Sequence, residues 1–396
     1  MRTPHRTFTR STVAVVAFGL TASACWSSEP GRGATPLVRI AFFQDLSVGD
    51  HVDLVSPSFL AFDRAVHDGI AGMDLDVQVV QFDTGGDPGA ASTFARQVVL
   101  DPTFVLAVLA PFWEEPGDVG ETLAKAGVPT FSLSPESQSI WAMELSRRGV
   151  GPAAPGEPDD LWRRFVPDQG LQAQRLAGIV EDAVPETSAD PACLFAEDTV
   201  YARELRDAVE ADLPVLVTTE SPTAGDTEAA VEAVRAGCAI TLLIGSPEGE
   251  NTLTGALADA GLDPAIDLAS DAMKTVMPIP GPDGAPMVGE LTCPCRDVNL
   301  VNSDAARRFI NAYQSATGLA PGVYAAEAWD AGILTAKALH AGVRERQQMR
   351  DYVGSLDAYD GTGGPVWFDE GGELVDPQVV VFTPAGTRWI PLPEAA

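Results

Sequence analysis

Short apolar runs alternate with amphipathic segments along most of this chain, and this alternation constrains its fold more than any other feature. In the first half, strands are predicted at 38–43, 77–82, 104–110 and 128–133, and each of the first three is followed by a segment of helical periodicity. After a Pro-rich segment, 151–158, strands near 192–196, 214–219, 239–244 and 265–269 again alternate with helices. This order implies parallel sheets covered by helices on both faces. We therefore expect an α/β fold with two doubly wound parallel sheets.

The order of elements changes after Gly289. An extended piece is followed by three predicted helices, at about 303–317, 322–342 and 344–356, and by short C-terminal strands.

In the first half, Ser56 and Pro57 occupy the positions expected of a helix N-cap and a first helical residue. We therefore expect the first helix to begin there. Ligands of such open sheets bind at the carboxyl ends of the strands.

The N-terminus has the pattern of an export signal. Three Arg residues precede the apolar run 13–20, and Ala22-Ser23-Ala24 leads into Cys25. Residues 1–24 are predicted to be removed, and the polar residues 25–36 to form a tether. Small residues before Cys25 resemble a bacterial lipoprotein signal, in which this Cys becomes lipid-modified, although Ala22-x-Ala24 also suits ordinary signal peptidase. We expect an extracytoplasmic, lipid-anchored protein.

The charge balance excludes one class of partner. The 396 residues include 25 Lys plus Arg and 56 Asp plus Glu, a formal net charge of −31. Loss of the three Arg of the leader would deepen it to −34. Phosphate contacts need clustered basic residues, and the sequence has no such cluster. We expect no nucleic-acid partner.

Four cysteines follow Cys25, and outside the cytoplasm disulfides are the default. Cys193 and Cys238 each stand at a predicted strand, so a bridge between neighbouring strands is expected. Cys293 and Cys295 flank a single Pro, and the spacing leaves open a local disulfide or two separate thiols. No His stands near them to support a metal site.

Catalytic motifs are absent from the sequence. Its four His stand in no recognisable Ser-His-Asp order, and there is no Gly-x-Ser-x-Gly turn, Walker A loop, Gly-x-Gly-x-x-Gly turn or His-Glu-x-x-His motif. We expect neither an enzyme nor a resident cofactor or metal.

Several stretches together resemble one family. The most specific is Tyr359-Asp360-Gly361-Thr362-Gly363-Gly364-Pro365-Val366-Trp367-Phe368-Asp369-Glu370-Gly371-Gly372-Glu373-Leu374. Weaker matches are Phe82-Asp83 to Asp87-Pro88, Phe165 to Gly170, and Tyr324-Ala325-Ala326 with Trp329-Asp330-Ala331. From about Leu37 to Leu392 the chain resembles the leucine/isoleucine/valine-binding family of bacterial type I periplasmic solute-binding proteins of ABC transporters.

The resemblance implies two lobes joined by a hinge of three crossovers, closing on a ligand. By order along the chain, lobe 1 comprises 37–167 plus 293–373, and lobe 2 comprises 168–292 plus 374–396. The implied function is amino acid transport: capture of a small polar ligand (amino acid, amine or amide-like) by a monomer that presents it to an ABC permease in the membrane. The alternative is a ligand-sensing or orphan binding protein of the same fold.

The resemblance also places a binding site. Where family members bind the substrate carboxylate, this chain has Trp113, Glu114, Ser134, Glu136 and Ser137. Asp271 matches the acid that holds the ligand ammonium, Tyr201 matches an aromatic at the rim of the second lobe, and Ser246 stands where some members place a Tyr.

The acidic residues at these positions differ from what binds a substrate carboxylate, and this difference bears on the class of ligand. Glu114 and Glu136 would repel a carboxylate, and an indole face attracts cations. They favour a cationic or amine-bearing ligand, and a neutral amino acid stays open.

Overall fold

The structure is a computed structural model. It describes residues 35–46, 49–111, 119–133, 161–184, 188, 190–213, 216–220, 227–275, 277–278, 280–281, 284–296, 298, 303–356 and 358–392, with the backbone alone for 49–55 and 216–220. The described residues from Pro36 onward form one compact unit. In the described part of the chain, no helix is long and apolar enough to cross a membrane.

Strands and helices are numbered in chain order. The strands are β1 (Leu37–Gln44), β2 (Asp76–Asp83), β3 (Phe104–Leu109), β4 (Thr130–Ser132), β5 (Trp162–Arg164), β6 (Ala192–Ala196), β7 (Leu216–Glu220), β8 (Ile240–Ile244), β9 (Ile266–Ala269), β10 (Val288–Cys293), β11 (Tyr359–Gly361), β12 (Gly364–Val366), β13 (Val380–Ala385) and β14 (Arg388–Pro391). The helices are α1 (Gly49–Gly69), α2 (Pro88–Leu100), α3 (Val119–Lys125), α4 (Gln169–Ala183), α5 (Val200–Asp212), α6 (Glu228–Ala236), α7 (Pro247–Asp259), α8 (Asp304–Thr317), α9 (Ala325–His340) and α10 (Arg346–Gly354).

The first sheet is parallel throughout, in the order β2-β1-β3-β4-β5. Alternate residues of β1 face opposite layers. Phe42 packs against Phe59 and Phe62 of α1, with ring centroids 5.3 and 5.8 Å away. Phe43 stacks on Phe82 at 5.4 Å and belongs to the core beneath α2 and α3. Both faces of the sheet are therefore covered, as the alternation predicts.

The second sheet has the order β14-β13-β10-β9-β8-β6-β7. Its strands β6 to β10 are parallel, whereas β13 and β14 are antiparallel. Every residue of β6 and β8 is buried, because parallel strands between two helical layers have no solvent face. Numbered in chain order within each sheet, the parallel strands of both sheets have the order 2-1-3-4-5. The first sheet reads β2-β1-β3-β4-β5, and the parallel part of the second reads β7-β6-β8-β9-β10. Such an order has its topological switch point between the first and third strands.

The chain passes between the sheets three times. It leaves β5 for α4, leaves β10 for α8 to α10, and returns after β12 to β13. Helix α9 packs on α1 of the first lobe: Gly332 approaches Phe62 and Ala65 so closely that a Cβ would lie 2.7 Å from Ala65 Cβ. The fold therefore consists of two doubly wound lobes joined by a three-crossover hinge.

One sequence prediction was wrong, and one strand was not predicted. Helix α1 begins at Gly49, so Pro57 lies inside it. A proline there removes only one backbone hydrogen bond, the one to the carbonyl of residue 53, and the helix continues through it. The strand β5 was not predicted, because its residues Arg163 and Arg164 are charged, yet both are buried.

Candidate functional site

Asp271 lies at the carboxyl end of β9, where it begins a short 3-10 helix, Asp271–Thr275. Its side chain is fully buried. Oδ1 accepts hydrogen bonds from the Tyr201 hydroxyl and from Gln172 Nε2, the latter at 2.8 Å. Oδ2 accepts one from the Tyr324 hydroxyl at 2.5 Å. Three donors thus converge on one carboxyl group.

These donors come from both lobes. Tyr201 is in the first turn of α5, which the Thr199 hydroxyl caps by accepting from Ala202 N at 3.1 Å. Gln172 is in α4 of the same lobe. Tyr324 precedes α9 of the first lobe, with φ +59°, a left-handed conformation that few non-glycine residues adopt. Asp271 therefore joins the two lobes.

Burial dominates the electrostatics of Asp271. Removal from water raises its pKa, while the hydrogen bonds from Tyr201, Tyr324 and Gln172 act in the opposite direction by favouring the ionised form. The net direction is upward. A positive charge brought next to this carboxyl group would favour its ionised form.

Two further polar atoms near Asp271 are buried without a partner in the described part of the chain. They are Gln172 Oε1 and Ser270 Oγ. Both residues are fully buried. We call Asp271, Tyr201, Tyr324, Gln172 and Ser270 the Asp271 cluster. Its unused hydrogen-bonding capacity is one amide oxygen and one hydroxyl, so it can receive an N–H or O–H donor.

A different arrangement occupies the switch point of the second lobe, between the ends of β6 and β8. Glu197 accepts hydrogen bonds from Ser246 N and Ser246 Oγ, both at 2.8 Å. Ser246 is also the N-cap of α7, since its hydroxyl accepts from Gly249 N at 3.2 Å. The protein's own carboxylate thus lies where a helix N-terminus would attract an anion.

The structure describes three of the predicted site residues, and they have different partners. Asp271 and Tyr201 contact each other directly, whereas Ser246 bonds to Glu197. The remaining ones, Trp113, Glu114, Ser134, Glu136, Ser137 and the lipidation site Cys25, lie outside the described residues. Reasoning from sequence did not assign Gln172, Glu197 or Ser270 to the site. Tyr324 was part of the Tyr-Ala-Ala match, and that match was the available signal for it.

The cysteines form two disulfides. Cys193 in β6 is bonded to Cys238, two residues before the neighbouring strand β8, and Cys293 is bonded to Cys295. Of the two alternatives for the second pair, the structure has the local disulfide. Among the described residues, no group of three His, Cys, Asp or Glu side chains is placed to hold a metal ion.

Comparisons with known proteins agree with this architecture. No curated protein matches the chain. Among solved structures, a leucine-binding protein from Thermotoga maritima has a TM-score of 0.70 at 14% identity, covering 90% of this chain and 98% of that one. A Desulfitobacterium hafniense ABC transporter substrate-binding protein in complex with Leu has a TM-score of 0.67 at 15% identity, covering 90% and 100%. An R. palustris ABC transporter solute-binding protein in complex with benzoate has a TM-score of 0.68 at 13% identity, covering 90% and 95%.

The sequence itself matches a family model. The model described as periplasmic binding protein matches residues 52–384, a range that begins within α1, ends within β13 and leaves out β1 and β14. The solved structures above share the fold at low identity. The chain therefore belongs to the periplasmic binding protein family and has the type I fold of ABC-transporter substrate-binding proteins.

Proposed function

We propose that this protein captures a small polar ligand with an amine or amide N–H group between its lobes and presents it to an ABC importer. The observation that carries the proposal is the Asp271 cluster. It combines a buried carboxyl group with two buried, unpartnered polar atoms, Gln172 Oε1 and Ser270 Oγ.

The energetics favour a donor group at this place. A buried polar atom without a hydrogen bond costs about 1–3 kcal/mol, and a ligand N–H that pairs with it removes that cost. An ammonium group would add the attraction of the Asp271 carboxylate. A ligand carboxylate would meet Asp271 and, at the switch point, Glu197. The second lobe therefore favours the donor end of the ligand.

The other half of the proposed site belongs to the first lobe. There Glu114 and Glu136, with Trp113, would favour a cationic or amine-bearing ligand over one whose carboxylate points at them. Leucine and benzoate in the solved relatives show that the fold accepts ligands with and without an amine. Within that range, the Asp271 cluster supports the amine-bearing class.

The proposal also includes the lobe boundaries, the oligomeric state and the location of the protein. Lobe 1 comprises 37–167 plus 293–373, and lobe 2 comprises 168–292 plus 374–396. The protein acts as a monomer outside the cytoplasm, anchored through a lipid on Cys25 and tethered by residues 25–36.

The test is ligand binding to the purified protein. Thermal unfolding is measured with neutral and basic amino acids, polyamines and amides. Benzoate is included as a carboxylic acid that has no amine. A bound ligand at 100 times its Kd adds about 2.7 kcal/mol to the free energy of unfolding, so binders raise the Tm. We expect amine-bearing compounds to raise it and benzoate to leave it unchanged.

Variants then locate the site. Asp271→Asn keeps the side-chain shape and is expected to weaken binding of the active compound at least tenfold, which is about 1.4 kcal/mol. Asp267→Asn is the matched control, because Asp267 is an exposed residue of β9, the strand that leads to Asp271, and bonds to Thr241. Benzoate as the preferred ligand, or undiminished binding by Asp271→Asn, would contradict the proposal.

A further inference from the structure

The disulfide Cys293–Cys295 lies where the second crossover begins. Cys293 is the last residue of β10 in the second lobe. Arg296 follows Cys295 directly and is held by α9 of the first lobe. Its backbone N–H donates to Glu327 Oε1 and its side-chain Nη1 donates to Asp330 Oδ2, each at 2.5 Å. The disulfide therefore bridges the short stretch of chain between the last residue of β10 in the second lobe and Arg296, which contacts the first lobe.

A cation is in contact with this disulfide. Lys274 Nζ donates to Cys295 Sγ at 3.1 Å and lies 3.7 Å from the centre of the Phe382 ring. In thiol–disulfide exchange, negative charge spreads over the attacking, central and leaving sulfur atoms. An ammonium group next to the central sulfur stabilises that charge, as positive neighbours stabilise thiolates.

A cavity of about 220 Å³ borders the same cysteine, Cys295. Its wall includes Cys295 and Arg296 of the second crossover, Pro167 of the first, and Val375 and Pro377 of the third. All three connections between the lobes thus border this hinge cavity. Cys293 and Cys295 are both buried, and of the two only Cys295 belongs to the wall of the hinge cavity, so the hinge cavity is the side from which a small thiol would approach.

We propose that Cys293–Cys295 is a redox-reactive disulfide and that its reduction loosens the hinge. A thiolate of a low-molecular-weight dithiol attacks Cys295 Sγ from the hinge cavity. A new S–S bond forms to Cys295, the Cys293–Cys295 bond breaks, and its electron pair leaves on Cys293 Sγ, which takes up a proton. The second thiol of the reagent, after losing its proton, displaces Cys295. The products are two protein thiols and the oxidised, cyclic reagent.

The second disulfide provides an internal comparison. Cys193–Cys238 connects neighbouring strands of one sheet, and 45 residues separate its cysteines. Cys193 is buried in the core of the second lobe and Cys238 is partly exposed, so exposure alone would not make this disulfide the slower one to react. Its reduction would leave the hinge crossovers unchanged, so the two disulfides should differ both in reactivity and in consequence.

The first experiment measures reactivity in the folded protein. The protein is incubated with dithiothreitol, the free thiols are trapped with iodoacetamide, and the cysteine peptides are quantified by mass spectrometry. We expect Cys293–Cys295 to be reduced at least tenfold faster than Cys193–Cys238. Lys274→Gln should slow the reduction several-fold, and Lys274→Arg should preserve much of the rate.

Lys337→Gln is the matched control for the lysine. Lys337 also lies over an aromatic ring, 4.9 Å from the centre of Tyr359, whereas the hydrogen bond to Cys295 comes from Lys274. Its rate should equal that of the wild type. Reduction of both disulfides at one rate, or an unchanged rate in Lys274→Gln, would overturn the proposed reactivity.

The second experiment measures the consequence by amide hydrogen exchange. We expect faster exchange in 294–303 and 374–380 after reduction, and also in the Cys293→Ser/Cys295→Ser variant, which needs no reductant. Cys193→Ser/Cys238→Ser should leave exchange in these crossovers unchanged. Unchanged crossover exchange in Cys293→Ser/Cys295→Ser would overturn the effect on the hinge, and this result is independent of which ligand the protein binds.

Discussion

Two buried carboxyl groups of the second lobe differ in their surroundings. Asp271 accepts three hydrogen bonds, whereas Glu250, in the first turn of α7, has an Oε2 with no partner in the described part of the chain. Glu250 is 1% exposed, and burial raises its pKa to about 7. An acid in this position makes the folded protein sensitive to pH in the neutral range.

Glu250→Gln should remove part of this pH dependence. The unfolded state releases the proton near the ordinary pKa and the folded state near 7, so the folded state binds more protons between those values. The free energy of unfolding of the wild type therefore falls as pH rises through this interval, by about 1–3 kcal/mol, and stays lower above it.

Denaturant unfolding at pH 5 and pH 8 checks this prediction. The loss of stability between the two pH values should be smaller in Glu250→Gln than in the wild type. Glu248→Gln is the control, since Glu248 is an exposed acid in the same turn. An equal loss in Glu250→Gln and wild type would contradict the assignment.

At the scale of residues, sequence reasoning assigned only some members of the Asp271 cluster to the candidate site. Asp271 and Tyr201 were placed by the family resemblance. Gln172 contacts Asp271 across 99 residues of sequence, in a helix whose periodicity predicts only that this face is buried. Which polar group meets a buried Gln depends on how the elements pack, and no local pattern encodes it.

At the scale of elements, β5 shows why a real strand can go unpredicted. Arg164 is fully buried, with its guanidinium donating to Glu373, 209 residues later in the chain. Arg163 donates to the carbonyl of Val353 at 2.8 Å. Arginines of this kind are stable in a core only with such distant partners, and pattern analysis of a local window does not include them.

The pairing of α1 with α9 depends on a glycine. A Cβ at Gly332 would lie 2.7 Å from both Ala65 Cβ and Phe62 O, closer than real Cβ atoms come. Because one contact is to backbone, a side-chain rotation cannot relieve it. Gly332→Ala should force the helices apart and lower the free energy of unfolding by about 1–3 kcal/mol.

Gly178→Ala is the matched control. Gly178 lies within α4, and a Cβ there would have no heavy atom within 4 Å. Alanine should therefore stabilise that helix by about 0.5–1 kcal/mol. Urea unfolding of the two variants should show midpoints moving in opposite directions, and a Gly332→Ala midpoint at or above the wild-type value would contradict the packing argument.

At the scale of the whole molecule, the alternation of strands and helices was enough to predict two doubly wound sheets. It was not enough to predict that β13 and β14 would extend the second sheet in the antiparallel direction. These strands follow the hairpin β11-β12, and short strands of this kind acquire their partners only when the chain returns to the other lobe.

The proposed lipid anchor predicts where the protein is found. Wild-type protein should partition with membranes and into the detergent phase, with a lipid-modified N-terminal Cys25 detected by mass spectrometry. Cys25→Ser should appear in the aqueous phase, because the predicted anchor is the lipid alone. A soluble wild-type protein that begins at an unmodified Cys25 would show ordinary signal-peptidase processing.

The three crossovers also determine when each lobe is complete during synthesis. Helix α1 covers the face of β1 that carries Phe42 and packs in turn on α9, which ends at His340. Strand β10 receives its partner β13 only at Val380–Ala385. Neither lobe can be finished before the last part of the chain has emerged. The usual order, in which an N-terminal domain folds while the next is being made, is therefore not open to this protein. We therefore expect both sheets to keep apolar faces exposed until these later segments have been synthesised.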